Sequence, residues 1–211
     1  MDKNEETFAS WNKVAKLYEE KFMDINLYNE SYDLFCNTLI KEHSFVLDVA
    51  CGPGSITKYL LNKMPGLAVD AIDIAPNMIS LAKVNCPTAN CWVMDCREIN
   101  QLPKKYDGII SGFGLPYLSA IECEKFMADA TALLNSHGLL YISFVEGSYA
   151  ESGFRTGSTG DRTYFYFHNM ENMIDKLKEN GFEQIKVLNR NYSYIKGTAE
   201  IHCMIISQKI G

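Results

Sequence analysis

FVLDVACGPGS, residues 45–55, takes an apolar run carrying Asp48 into Ala50 and Cys51, then places two glycines around Pro53. A short apolar run bounded by turn residues reads as a strand buried on both faces. Gly52 and Gly54 let the backbone after it turn sharply, and let a ligand approach closer than any Cβ would permit. From Ser55 the spacing becomes helical, so the glycines sit in a strand-to-helix loop. In an open parallel sheet, loops at the carboxyl ends of strands are where ligands bind. A tight turn with no ligand is the plainer alternative.

The rest of the chain extends that pattern. Residues 44–50, 67–73, 90–94, 107–113 and 138–145 read as buried strands, and 55–64, 76–85 and 119–135 as helices, with Pro76 and Ser119 at helix starts. Strand and helix in alternation predict a parallel sheet with right-handed crossovers. After 145 the rhythm breaks. A helix over 169–180 ends on Gly181, and two alternating runs, 182–195 and 199–209, joined through Lys196 and Gly197, predict a hairpin with an antiparallel edge strand. Residues 1–40 carry aromatics at mostly helical spacing, among them Trp11, Tyr18 and Tyr28, and read as a helical cover. Residues 146–168, rich in Gly, Ser and Thr but also in Tyr and Phe, read as a pliable lid over a bound acceptor, with Tyr18, Tyr149, Arg155 and Arg162 as candidate substrate contacts.

Bulk properties narrow the partners. With 211 residues, 47% apolar and 22% charged, one domain with a full core is expected. A net charge of −6 disfavours nucleic acid, whose binding needs clustered Lys and Arg, and points to a small-molecule partner. The polar start MDKNEETFAS, and the absence of any apolar stretch near 18 residues, predict no targeting segment and no membrane span. Seven cysteines, an odd number, fit thiols in a cytoplasmic protein. Cys86, Cys91 and Cys96 are evenly spaced, yet with no CxxC pair and no nearby histidine no metal is expected. The oligomeric state is not legible.

The loop's charge separates two ligand classes. A dinucleotide pyrophosphate wants G-x-G-x-x-G and free amides at the helix start. Here Thr57 takes the third glycine's place, Pro53 removes an amide and Asp48 adds negative charge, which together disfavour a nicotinamide-dependent oxidoreductase. A ligand with a cationic head is favoured by Asp48, directly or through water. Acidic residues recur at later strand ends. Asp73 closes VDAID and suits the two hydroxyls of a ribose. Asp95 follows CWVM and suits an adenine amino group, with Met78 and Cys96 beside the ring. Taken singly, Asp73 and Asp95 also read as helix caps or turn residues.

VLDVACGPGSITKYL, VDAIDIAPNMISLAK, VMDCREI, YDGIISGFGLPYL and LLNSHGLLYISF resemble the successive motifs of class I S-adenosylmethionine-dependent methyltransferases, small-molecule type, over residues 44–145. The stretch YFYFHNMENMIDKLKENGFE is similar to the end of such proteins. The resemblance implies a Rossmann-like seven-stranded α/β sheet in the order 3-2-1-4-5-7-6, strand 7 antiparallel, flanked by helices. It implies S-adenosyl-L-methionine as cofactor. Asp48, Gly52 and Gly54 would then hold the methionine end, Asp73 the ribose, and Asp95 with Cys96 the adenine, with Phe113 at the methyl-transfer site and Ala50, Ile74 and Met78 as further cofactor contacts. The activated methyl belongs to the cofactor, so positioning is the main catalytic contribution expected of the protein. If the acceptor needs a base, Tyr117, Glu146 and His168 are the candidates. An S-adenosylmethionine-binding protein without catalysis is the remaining alternative.

Overall fold

The computed structural model describes residues 2–39, 43–195 and 198–211. Its strands are β1 (Phe45–Val49), β2 (Ala68–Asp73), β3 (Asn90–Val93), β4 (Tyr106–Ser111), β5 (Leu134–Val145), β6 (Gly153–Thr156), β7 (Arg162–Phe165), β8 (Phe182–Ile195) and β9 (Thr198–Lys209). Its helices are α1 (Lys3–Phe22), α2 (Asn29–Thr38), α3 (Ser55–Lys63), α4 (Pro76–Asn85), α5 (Ala120–Leu133) and α6 (Met170–Glu179). Seven strands form one sheet in the order β3-β2-β1-β4-β5-β9-β8. β1 to β5 pair in parallel, and β9 runs antiparallel to both β5 and β8. Counted within this sheet alone, the order is 3-2-1-4-5-7-6 with its seventh strand reversed, as the resemblance implies. The connection at Lys196 and Gly197 lies outside the described residues.

The alternation of side chains along each strand builds a layer on either face. Leu47, Ile109, Leu140 and Ile142 pack with Phe126 and Met127 of α5 and with Met173 and Leu177 of α6. Val46, Ile110 and Tyr141 turn the other way, toward Phe35 of α2 and Leu60 of α3, together with Met204 and Ile206 of β9. Local signals set the element ends. Pro76 opens α4, where its missing N–H costs nothing, Ser119 and Glu122 form a capping box on α5, and Gly181 leaves α6 with φ of +77°.

The segment 146–168 is ordered into a separate antiparallel hairpin of β6 and β7, preceded by a single turn at Tyr149–Glu151. It docks on α1. The Ser10 hydroxyl donates to Arg162 O at 2.6 Å, Tyr164 N donates to Thr7 Oγ1 at 2.9 Å, and Lys13 pairs with Asp161 at 2.7 Å. On its other side α1 is tied to α4, where Asn77 donates two hydrogen bonds of 2.8 Å to Asn12, from its backbone N to Oδ1 and from Nδ2 to the backbone O. The helix and the hairpin therefore form one roof over the carboxyl ends of the central strands.

Candidate functional site

Two cavities lie under that roof. The smaller, about 120 Å³, is lined at the ends of β1, β2 and β4 by Ala50, Gly52, Asp73, Ile74, Gly112 and Phe113, with Met78, Asp95, Cys96 and Arg97 along one side. The larger, about 1020 Å³, is lined by Tyr28, Phe165, Tyr192, Glu200 and His202 among others. Trp11, Tyr18, Gly112, Phe113 and Tyr117 line both, so the cavities share a wall.

The glycine loop is built as its sequence suggests. Gly52 has φ of +55° and Gly54 φ of +91°, the left-handed region that glycine enters without a Cβ penalty. Gly54 caps α3, and a Cβ there would come within 2.9 Å of Cys86 Sγ. Two non-glycine residues share this strained region at strand ends: Ala50 at φ 57° and Phe113 at φ 58°. Such conformations cost about 1–3 kcal/mol each and cluster at functional sites. Both residues line the smaller cavity. The Phe113 amide is fixed by donating to Ser143 Oγ at 2.8 Å, and Gly112 has no room for a Cβ against Ile56.

The three strand-end carboxylates have distinct surroundings. Asp73 accepts from Gly52 N at 3.0 Å with one oxygen and from Ala75 N at 2.8 Å with the other, locking loop to strand. Each oxygen keeps a further lone pair for an incoming hydroxyl. Burial pushes its carboxyl up, against the two amides. Asp95 caps the turn after β3 and is gripped by Arg97, whose other guanidinium nitrogen reaches Glu122 at 3.2 Å. Asp48 is fully buried and lines neither cavity. Its Oδ2 accepts from Thr57 Oγ1 at 2.6 Å, while Oδ1 has no hydrogen-bond partner among the described residues. Burial raises it to about 7. It thus braces the loop against α3 from below.

The expected catalytic and substrate residues divide. Tyr117 and Tyr18 line both cavities. His168 and Glu146 line neither. His168 Nε2 bonds Leu115 O at 3.0 Å, pinning the turn that carries Tyr117, and Glu146 accepts from Met170 N at 2.8 Å and Asn169 Nδ2 at 3.2 Å at the start of α6. Chain order put both residues beside the lid, but the protein spends them on turn and helix ends. Tyr149 stacks on Tyr166 outside the cavities. Arg162 pairs with Glu6 of α1 at 2.8 Å. Arg155 does line the larger cavity, yet it pairs with Glu200 at 2.7 Å and lies over the rings of Phe165 and Phe167. Gly54 stays beneath the cavity floor as a cap. The sequence reading missed His202 and Glu200. The one available signal was the alternation of β9, which puts His202 on the inward face shared with Met204 and Ile206.

Comparisons with known proteins agree with this geometry. Residues 46–138 match the family model described as a methyltransferase domain. A malonyl-acyl carrier protein O-methyltransferase of Acetivibrio thermocellus is 43% identical over 114 residues, covering 49% of this chain and 39% of that protein. The chain spans about half the length of the curated relatives it matches. Among solved structures, magnesium protoporphyrin IX methyltransferase from Synechocystis with bound S-adenosylmethionine superposes with a TM-score of 0.71 at 16% identity, covering 99% of this chain and 98% of that one. An S-adenosylmethionine-dependent methyltransferase from Methanosarcina mazei gives 0.70 at 18% identity, over 89% and 99%. The matched segment runs from β1 into β5 and takes in the strand ends that carry the glycine loop, Asp73 and Phe113, and over it the chain is similar to a methyltransferase domain.

Proposed function

We propose that the protein transfers a methyl group from S-adenosylmethionine to a small-molecule acceptor, with the cofactor beside the glycine loop and the acceptor in the larger cavity. The observation that carries this reading is the shared wall at Gly112, Phe113 and Tyr117, which puts the strand-end site and the acceptor cavity in direct communication. The residues present fit the group. Asp73 offers lone pairs to ribose hydroxyls, Asp95 and Cys96 stand along the same side for the adenine, and the bare backbone at Gly52 admits close approach. When bound, the cofactor supplies a methyl already activated on a sulfonium. The chain's own share is to align an acceptor atom with it and keep water away, a positioning effect that reaches about 7–11 kcal/mol in favourable cases.

At about 120 Å³ the smaller cavity is below the 300–1,000 Å³ usual for ligand sites. Phe8, Trp11 and Tyr18 of α1 line its side, and Trp11 and Tyr18 line the larger cavity as well, so the two cavities together offer the room that a cofactor and its acceptor need. Titration calorimetry with S-adenosylhomocysteine, and NAD as control, tests the cofactor. Labelled methyl transfer into a metabolite extract tests the activity. Binding of NAD in place of S-adenosylhomocysteine would sink the reading, and tight S-adenosylhomocysteine binding with no labelled product would reduce it to a binding protein.

A further inference from the structure

One polar cluster in the larger cavity has no part in the cofactor site. Tyr28 Oη lies 2.7 Å from His202 Nδ1. His202 is buried, and its Nε2 has no hydrogen-bond partner among the described residues, with Glu200 Oε2 standing 3.6 Å away. The other Glu200 oxygen accepts from Arg155. Tyr192 stacks on the imidazole at 4.9 Å, and Phe113 stands 4.8 Å from it and 5.1 Å from the Tyr28 ring. The pair is therefore in contact with the residue that joins the two cavities.

The geometry orders the protons. With the imidazole hydrogen on Nε2, toward Glu200, Nδ1 is left to accept from the Tyr28 hydroxyl. Burial holds His202 below its ordinary value, so it is neutral at neutral pH. Glu200, fixed by Arg155, stands where it would stabilise an imidazolium. From β8, Tyr192 faces the ring as well, while Arg190, paired opposite His202, is engaged by Glu30. The cavity wall also speaks to the acceptor. Trp11, Tyr18, Phe22, Tyr28, Phe113 and Phe165 present aromatic surface. Of the basic side chains on this wall, Arg155 is paired with Glu200 and Lys21 donates to Ser158 Oγ, while Lys58 stands with Ser55 and Tyr59 of α3.

We infer that Tyr28 and His202 form a proton relay that deprotonates an aromatic hydroxyl as it is methylated in the larger cavity, an inference that rests on the methyl-transfer reading above. The acceptor oxygen bonds to the methyl carbon while the carbon–sulfur bond breaks and its electron pair stays on sulfur. The hydroxyl proton passes to Tyr28 Oη as the Tyr28 proton passes to His202 Nδ1, and the imidazolium later returns its proton to water. Tyr28 touches the acceptor, and His202 and Glu200 act through it.

The test uses the full chain, S-adenosylmethionine, and three phenols of falling pKa: 4-methoxyphenol, 4-chlorophenol and 4-nitrophenol. Wild type should methylate all three, with a rate on 4-methoxyphenol that drops as pH falls through the His202 value. Tyr28→Phe and His202→Gln should lose at least about 100-fold on 4-methoxyphenol, lose only a few-fold on 4-nitrophenol, which needs little help to ionise, and no longer show that acid limb. S-adenosylhomocysteine affinity, measured by calorimetry, should be the same in all three proteins, which also shows that the variants fold. Independently of turnover, nitrogen-15 spectra of the wild type should show His202 unprotonated at Nδ1 and protonated at Nε2 at neutral pH. Equal losses across the three phenols would make the pair structural, and no loss would remove it from the reaction. A wild type that binds S-adenosylhomocysteine but methylates no phenol overturns the acceptor class, whereas one that does not bind it fails at the cofactor, a separate failure.

Discussion

Asp73 and Asp48 sit one strand apart and are predicted to behave in opposite ways. Asp73 stands at the cavity with lone pairs to spare, so Asp73→Asn should weaken S-adenosylhomocysteine by about 10- to 150-fold in calorimetry, the equivalent of one charged hydrogen bond at about 1.5–3 kcal/mol. Unchanged affinity would leave Asp73 as the brace between Gly52 and Ala75 alone. Asp48 acts through pH. Its ordinary value is 3.8 and burial raises it to about 7 in the folded protein. A raised carboxyl means that the folded state binds the extra proton between those values, so this group's contribution to stability is present below pH 4 and is lost as pH rises toward 7. The loss is on the order of 4 kcal/mol at most, from about 3 pH units at 1.36 kcal/mol each. Asp48→Asn keeps an acceptor for Thr57 and removes the charge. Its melting temperature should exceed the wild type's at pH 8 and match it near pH 4, and an equal offset at both would contradict the assigned titration.

At the scale of elements, the loop from β1 to α3 and the roof of α1 with β6–β7 carry the consequences. Gly54→Ala must hold a Cβ at φ +91° and 2.9 Å from Cys86 Sγ. A loss of about 1–3 kcal/mol in denaturant unfolding is expected, with S-adenosylhomocysteine affinity falling as the loop shifts. The roof is tied by hydrogen bonds between α1 and the hairpin, and α1 lends Trp11 to both cavities. Trp11→Ala should weaken S-adenosylhomocysteine by about tenfold, near the 0.5–1.5 kcal/mol that aromatic contacts contribute, while unfolding stability falls less than for Gly54→Ala. If stability drops and affinity holds, α1 is core packing and not a cover.

For the whole molecule, ligand linkage gives a direct readout. S-adenosylhomocysteine at about 100 times its dissociation constant adds about 2.7 kcal/mol, which for a chain of this size raises Tm by about 5–11 °C. No shift would remove the cofactor assignment and with it the use made of the strand ends. The sheet was open to sequence reading because each element is specified locally: apolar runs bounded by turn residues, Pro76 and Ser119 at helix starts, Gly52 and Gly54 at left-handed positions. The strand-end residues Ala50, Asp73, Asp95 and Phe113 followed from that, since the carboxyl end of a parallel strand is fixed once the strand is. The larger cavity was not legible in this way. Glu146 and His168 have the chemistry of a base, but helix capping and a turn carbonyl take them, and Arg155 and Arg162 were claimed by Glu200 and Glu6. His202 and Tyr28 lie 174 positions apart, and nothing along the chain relates them. By itself the sequence determined the parallel sheet, its glycine loop and the carboxylates at its strand ends, because the apolar runs and turn residues that specify them can be read one element at a time. Only the tertiary structure decided which polar side chains face the larger cavity, because that depends on β9 folding back between β5 and β8 and on α1 closing over the top.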